Sequence, residues 1–261
     1  MSRKALFFDI DGTIWDRENY ICPSTIEAIQ KLKERGCLTF ICSGRSRAYI
    51  NNPKLLGIGF DGIISGCGTM IEYNDEVVFY RKMGKEEAIK AVETIRKYGY
   101  RPILEGREYL YFDDEDFADD GYGSKVKREM GSKKLGVSDN YGEWDIVKLS
   151  CATGGYDIPK CREELKEYFD FIIHNDYVIE IVPKGFCKAS GILKVCELLD
   201  IDIKDTYAFG DSNNDFSMLE IAGHSIVMEN GTDEVKKIAE YITTSVTDDG
   251  IFNACRHYGL I

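Results

Sequence analysis

Four apolar residues in a row, Ala5-Leu6-Phe7-Phe8, run straight into two carboxylates set two positions apart, Asp9 and Asp11, with Gly12 directly after. An apolar run of this length bounded by charge reads as a buried strand, and Gly12 breaks it. Beyond the strand end the chain turns into a loop, so both aspartates can face one site. One can serve as nucleophile and metal ligand and the other as general acid/base. The same spelling also arises where acidic residues and a glycine merely end a strand. The downstream segments decide between the two.

Residues 24–35 read as a helix, with Ser24 as N-cap, Gly36 as stop and Ile26, Ile29 and Leu32 recurring at three-residue steps. Residues 37–42 read as a second apolar strand, followed by Ser43-Gly44-Arg45 and a helix through Ile50, and residues 61–65 as a third strand. This βαβα order predicts a parallel sheet with helices on its faces. The pattern then changes. Residues 70–80 read as a hairpin turning at Asn74-Asp75, residues 85–98 as a helix, and 100–104 and 109–112 as short strands. The acidic stretch 113–121 reads as an exposed loop without the ligand spacing of a calcium loop. Strands are expected at 145–151, 170–173 and 177–182, with a helix at 160–168, which together suit a separate α+β insert. After Pro183-Lys184-Gly185 the alternation returns, with helices at 189–199, 215–222 and 232–239 and strands at 206–209 and 225–228. Residues 1–82 and 185–261 are thus expected to form one domain and residues 83–184 an inserted one.

A chain of 261 residues has room for two such domains. A net charge of −12 argues against non-specific binding to nucleic acid or anionic lipid, yet leaves room for a small phosphorylated ligand, which needs only a local positive site. No apolar run approaches the ~20 residues of a membrane span. The N-terminus lacks the apolar stretch of a signal peptide. The nine cysteines are odd in number and show neither CxxC nor zinc-site spacing, so free thiols in a reducing cytoplasm are expected.

Four groups share one placement. Asp9 and Asp11 follow the first strand, Ser43 and Gly44 the second, Lys188 the insert, and Gly210-Asp211-Ser212-Asn213-Asn214-Asp215 the strand Tyr207-Ala208-Phe209. Ligands of open α/β sheets bind at the carboxyl edge, so these groups are expected to converge. The residue types suit phosphoryl transfer. Asp9 and Asp211 supply the hard oxygens that magnesium takes. Ser43 and the Gly44 amide, at a helix N-terminus, can cradle phosphate oxygens, and Lys188 adds a point charge. Asn214 can donate hydrogen bonds, and Asp215 can hold Lys188 or a metal-bound water. Taken singly, Ser43 reads equally as an N-cap, Lys188 and Arg45 as surface charge, and 210–215 as an Asx-rich turn. Their joint order at strand ends favours the site.

With these motifs in place the chain resembles the haloacid dehalogenase superfamily of phosphotransferases. FDIDGT at 8–13, CSGR at 42–45, Lys188 and GDSNNDFSML at 210–219 match its four motifs in order. PKGFCKASGI at 183–192, NGTDEVKKIAEYIT at 230–243 and DDGI at 248–251 are similar to segments of the Cof-type phosphatases of subclass IIB. The resemblance implies a Rossmann-like parallel-sheet core with an inserted α+β cap of the C2B type that governs substrate choice. It implies Asp9 as nucleophile, Asp11 as acid/base with its backbone carbonyl on magnesium, and Ser43, Gly44, Arg45 and Lys188 around the phosphoryl group. Asp211 becomes a metal ligand, Asn214 a substrate contact and Asp215 a supporting residue. Two departures stand out: Gly66-Cys67-Gly68 replaces the common Asn-Gly-Ala after the third strand, and Lys-Ala replaces Lys-Gly at 188–189.

The expected function is magnesium-dependent hydrolysis of small phosphomonoesters, sugar phosphates among them, through an aspartyl-phosphate on Asp9. A phosphomutase on the same core would need a second anion site, for which Lys125, Lys127 and Arg128 are the candidates in the insert. A non-catalytic phosphometabolite-binding regulator would not need Asp11. Halide removal is disfavoured by the second aspartate. The expected partners are a small phosphorylated metabolite, with no nucleic acid and no membrane, and the expected state is a cytoplasmic monomer or homodimer.

Overall fold

The strand β1, Ala5–Phe8, is buried at every position, as four uninterrupted apolar residues require. The computed structural model describes residues 3–117, 121–152, 158–173 and 178–261. Helix α1, Pro23–Glu34, starts one residue before the expected Ser24 cap. Proline at the first helical position needs no N–H partner and has its φ preset, so Cys22 takes the cap position and the Ser24 hydroxyl turns to the Cys22 sulfur instead. The helix buries Thr25, Ala28, Ile29 and Leu32, one stripe at helical spacing.

Strand β2, Leu38–Cys42, is followed by less helix than expected. Only a single 3₁₀ turn, Arg47–Tyr49, forms before a four-residue helix α2, Pro53–Leu56, capped by Asn52. The start of α2 has a local cause. Asn52, before Pro53, is held in extended backbone, and its side chain accepts from the Lys54 amide. Strands β3, Gly62–Ser65, β4, Met70–Tyr73, and β5, Glu76–Tyr80, follow. The β4–β5 hairpin turns through Asn74 (φ 50°) and Asp75 (φ 63°), the two residue types that enter left-handed backbone at least cost after glycine.

The chain then builds an antiparallel sheet from β6, Arg101–Gly106, β7, Leu110–Tyr111, β8, Lys134–Leu135, β9, Ile146–Ala152, β10, Phe169–Ile173, and β11, Val178–Pro183. Its order is β10-β11-β9-β6-β7-β8, with β7 and β8 parallel. Helices α3, Lys85–Lys97, and α5, Ile158–Leu165, share an apolar core with one face of this sheet, which includes Leu104, Leu149, Cys151, Ile179 and Ile181. Strand residues alternate faces, and the opposite face carries charge. Lys148 stands opposite Glu105, and its Nζ lies 3.0 Å from Glu105 Oε1 and 2.7 Å from Glu180 Oε1. All three are buried.

The acidic stretch is not a plain loop. Residues Asp114–Phe117 form a 3₁₀ turn that buries Phe117, while Asp113 and Asp116 pair with Arg96, and Asp114 pairs with Lys127 and Lys134. Helix α4, Gly121–Met130, comes next, where the sequence pattern predicts none because glycines at 121 and 123 weaken its propensity. Residues 118–120 of the expected loop lie outside the described residues.

The return section supplies α6, Lys188–Leu199, β12, Thr206–Gly210, α7, Phe216–Ile221, β13, His224–Val227, α8, Asp233–Lys236, β14, Tyr241–Ile242, and α9, Gly250–His257. The main sheet runs β14-β13-β12-β1-β2-β3-β4-β5, parallel from β14 through β3 and antiparallel at β3–β4. The chain divides into two compact units. One holds Met1–Gly44, Asn51–Phe79 and Cys187–Ile261; the other holds Arg45–Ile50 and Tyr80–Phe186. The short excursion 45–50 packs Ala48 and Tyr49 into a second apolar cluster with Ile103, Phe112, Phe117 and Val126. All nine cysteines are free. Among the described residues no helix is long and apolar enough to cross a membrane.

Phe40 on β2 is fully buried and stacked between Phe7 (5.4 Å) and Tyr73 (5.9 Å). Its ring fills the space over Gly62, where a Cβ would come within 2.4 Å of it. Phe40→Ala is expected to cost about 3–5 kcal/mol, read from the urea midpoint. A loss under about 1 kcal/mol would mean that the surrounding strands close the gap.

Candidate active site

Strand β1 lies between β2 and β12, the two strands to which the chain departs in opposite directions along the sheet. That is the topological switch point of an open parallel sheet, where crossovers diverge and leave a crevice at the carboxyl ends. Asp9 continues β1 into this crevice, its amide donating to Phe209 O on β12 at 3.0 Å. Helix α6 begins at Lys188, whose buried Nζ reaches Asp9 Oδ1 at 2.6 Å and also pairs with Asp215 Oδ1. The second oxygen of Asp215 accepts from the amides of Asp211 (2.9 Å) and Ser212 (3.0 Å), so this one carboxylate both holds Lys188 and shapes the loop that presents Asp211. Gly210 is required beneath it, since a Cβ there would lie 2.7 Å from that of Asp215.

Asp9, Asp211 and Asp215 each bring a carboxylate oxygen within 4.8 Å of the others. Three carboxylates against one ammonium leave an excess of negative charge in a place with little water. Burial, then the charges of Asp9 and Asp215, push the Asp211 carboxyl up to about 8. Burial, then Asp215, also raises Asp9, against the pull of Lys188. Burial would lower Lys188, but Asp215 and Asp9 outweigh it and hold the ammonium well above its ordinary range. Asp211 Oδ1 is buried with no hydrogen-bond partner among the described residues. An unsatisfied oxygen amid crowded, desolvated carboxylates is the setting that a hard divalent cation relieves, and the donor set is all oxygen.

Asp11 stands apart from this buried group. It is exposed, and its Oδ1 accepts from Trp15 Nε1 at 3.0 Å. Gly12, next to it, is left-handed (φ 80°), and a Cβ there would lie 2.3 Å from Asp211 Oδ2. Gly12 O accepts from Asn230 Nδ2 at 2.8 Å, and the Thr232 amide donates to Asp211 O at 2.8 Å. The sequence pattern does not mark Trp15, Asn230 or Thr232 as site residues. The signal for Trp15 is no more than a rare residue four places after Asp11; Asn230 and Thr232 lie within the NGTDEV segment.

Ser43 is buried at the end of β2, its amide donating to Ile64 O (2.9 Å) and its carbonyl accepting from Cys67 N (3.2 Å). The expected helix does not open at Ser43, because the backbone is still extended at Ser46. A helix terminus therefore contributes nothing at Ser43, and any phosphate contact there falls to the hydroxyl and to the loop amides. Gly66, Cys67 and Gly68 are all left-handed (φ 58°, 57° and 87°), so the departure from Asn-Gly-Ala leaves a cysteine as the strained residue. Gly68 packs on the start of α6, where a Cβ would meet Cys187 O at 2.6 Å. Arg45 belongs to the second unit, its guanidinium 4.5 Å over the Tyr49 ring. Asn214 accepts from the Ser212 hydroxyl at 2.8 Å, turned toward its own loop.

A sequence model of the haloacid dehalogenase-like hydrolases matches residues 6–255. The putative phosphatase YkrA of Bacillus subtilis (strain 168) is 33% identical over the whole length of both chains. The 5-amino-6-(5-phospho-D-ribitylamino)uracil phosphatase YwtE of the same organism is 28% identical over 95% of each chain. The solved structure of the subclass IIB sugar phosphatase BT4131 matches with a TM-score of 0.82 and 26% identity, over 99% of this chain and 100% of that one.

The raised Asp211 carboxyl couples stability to pH. Below about pH 4 it is protonated in the folded and the unfolded chain alike; between about 4 and 8 the folded chain keeps a proton that the unfolded chain has released. Stability of the metal-free protein is therefore expected to fall as pH rises through that window. Urea midpoints taken in chelator near about pH 5 and about pH 8 should differ less in Asp211→Asn than in the parent. An unchanged difference would remove Asp211 as its source.

Proposed function

The chain belongs to the haloacid dehalogenase-like hydrolases and is a phosphatase, and from that premise we propose that it hydrolyses small phosphomonoesters, sugar phosphates or related phosphometabolites, with magnesium, through an aspartyl-phosphate on Asp9. One observation carries this: Lys188 stands between Asp9 and Asp215 at the sheet's switch point, with an oxygen of Asp211 within 4.8 Å of both carboxylates. Asp9 and Asp211, with the Asp11 carbonyl, would hold the metal, which supplies charge neutralisation for the phosphoryl group when bound. Ser43, the Gly44 amide and Lys188 would hold the phosphoryl oxygens, with Arg45 and Asn214 as further contacts. Asp215 acts on Lys188 and on the 211–212 amides.

In the forward step an Asp9 carboxylate oxygen attacks phosphorus, the ester P–O bond breaks, and Asp11 gives its proton to the departing alkoxide. In the second step Asp11, now a base, takes a proton from water. The water oxygen attacks the same phosphorus, the bond to Asp9 breaks, and inorganic phosphate leaves. A buried nucleophile beside an ammonium suits the first half, because the ammonium opposes the protonation that burial favours. The exposure of Asp11 suits both steps, because acid/base exchange needs contact with the leaving group and with water.

The sugar-phosphate assignment is supported by BT4131, named a sugar phosphatase. Other relatives carry different substrates in their names, phosphoglycolate for a Picrophilus torridus protein 24% identical among them. Choice of leaving group we assign to the inserted segment, as the family resemblance implies. A panel of phosphorylated metabolites, assayed with magnesium, tests the class; preference for a carboxylate-bearing ester over every sugar phosphate would overturn it.

Asp9→Asn is expected to fold normally and to lose more than about a hundredfold in kcat, since an amide is nearly isosteric but a poor nucleophile and ligand. Retention of more than about a hundredth of parental kcat would exclude Asp9 as nucleophile. Activity is expected to vanish in chelator, to return with magnesium and to be inhibited by calcium, whose looser coordination lets Asp9 bind through both oxygens. Equal rates with calcium would contradict a site that requires magnesium.

A further inference from the structure

An exposed carboxylate next to a glycine ordinarily samples several rotamers, which is a poor property in a proton donor that must meet one oxygen at one moment. The loop that carries Asp11 removes that freedom. The amides of Ile14 (3.0 Å) and Trp15 (3.2 Å) both donate to Ile10 O, and the Gly12 amide donates to Trp15 O at 2.8 Å, so residues 10–15 close into one tight turn. Trp15 is bridged to Asp11 on one side and to Ile21 on the other, and Asn230 holds Gly12 O. The turn carries the indole back to the carboxylate, where Nε1 donates to Asp11 Oδ1 at 3.0 Å. The indole is itself 3% exposed and so held in place.

An indole N–H donates and cannot accept. It therefore occupies Oδ1 in both protonation states of Asp11 and never competes for the proton, which is left to Oδ2. We infer that Trp15 is a positioning residue for acid–base transfer: its N–H pins Oδ1 of Asp11, so that the proton leaves and returns on Oδ2 in one fixed orientation. This rests on the proposed role of Asp11 as acid and base. The proton goes from Oδ2 to the ester oxygen as the P–O bond breaks, and returns to Oδ2 from the attacking water.

The role separates from mere support of the loop through leaving groups. A nitrophenolate departs without a proton; a benzyl alkoxide needs one. The value of kcat/KM reports events up to the first irreversible step, here departure of the leaving group. Trp15→Phe, which deletes the donor, is compared with the parent on 4-nitrophenyl phosphate and on benzyl phosphate, with magnesium. The expected loss in kcat/KM is roughly 30-fold on benzyl phosphate, part of the 10²–10⁴ that a general acid supplies, and under roughly 3-fold on 4-nitrophenyl phosphate. Asp11→Asn is expected to show the same selectivity more strongly, and Trp15→Phe added to Asp11→Asn to cost nothing further. Should Trp15→Phe fail to fold, benzothienylalanine at position 15 keeps the ring shape and lacks only the N–H. If Asp11→Asn is selective and loss of the N–H lowers both substrates equally, or neither, the inference about Trp15 falls while the acid–base role of Asp11 stands. If Asp11→Asn is itself unselective, the role of Asp11 falls and the inference falls with it.

Discussion

A single ammonium, Lys188 Nζ, lies buried between Asp9 and Asp215, and the rest of the site is arranged around that contact. Burying an ammonium and two carboxylates costs several kcal/mol per ion, and their attraction offsets this only when geometry and hydrogen bonding are good. Here the second oxygen of Asp215 is satisfied by the amides of Asp211 and Ser212, and Asp9 sits in line with a fully buried strand. What the contact does not offset is the remaining carboxylate. Asp211, held beside the other two with one oxygen unpaired among the described residues, leaves the pocket short of positive charge. In the proposed mechanism that deficit is what a magnesium ion would make good when the phosphoryl group binds.

The sheet explains why distant segments meet at Asp9, with Ser43 at the end of the neighbouring strand. Residues 9, 43, 188 and 211 are far apart in the chain, but β1 is flanked by β2 and β12, and α6 begins where the insert ends. Small residues let the segments close on one another. Gly12 approaches Asp211, Gly210 approaches Asp215, and Gly68 approaches the start of α6, each at a distance that a Cβ would forbid. The motif glycines are thus spacing devices between charged side chains as much as turn formers.

The features legible in the sequence are those governed by periodicity and punctuation. Residues 5–8, 38–42 and 206–210 form fully buried strands, and Asn74-Asp75 turns a hairpin through left-handed backbone. The meeting of Asp9 and Asp211 follows from their places at the ends of neighbouring strands, and Lys188 joins them from the start of α6. Side-chain contacts made by turn geometry are not legible. The Trp15 indole reaches Asp11 only because residues 10–15 fold back on themselves, and no residue pattern states where an indole will point. The missing helix at Ser43 is a case of local competition: Asn52 and Pro53 set a start further on, and the backbone before it is still extended at Ser46. Helix α4 is hidden because its glycines obscure an amphipathic stripe.

The central claim is that phosphorus passes to Asp9 before it passes to water. Mixing the enzyme with a ³²P-labelled sugar phosphate and magnesium, quenching in acid within milliseconds and mapping the labelled peptide tests it directly. The account predicts label on the peptide containing Asp9, formed no more slowly than turnover. Label that never enters the protein, while inorganic phosphate still forms at the full rate, would contradict it.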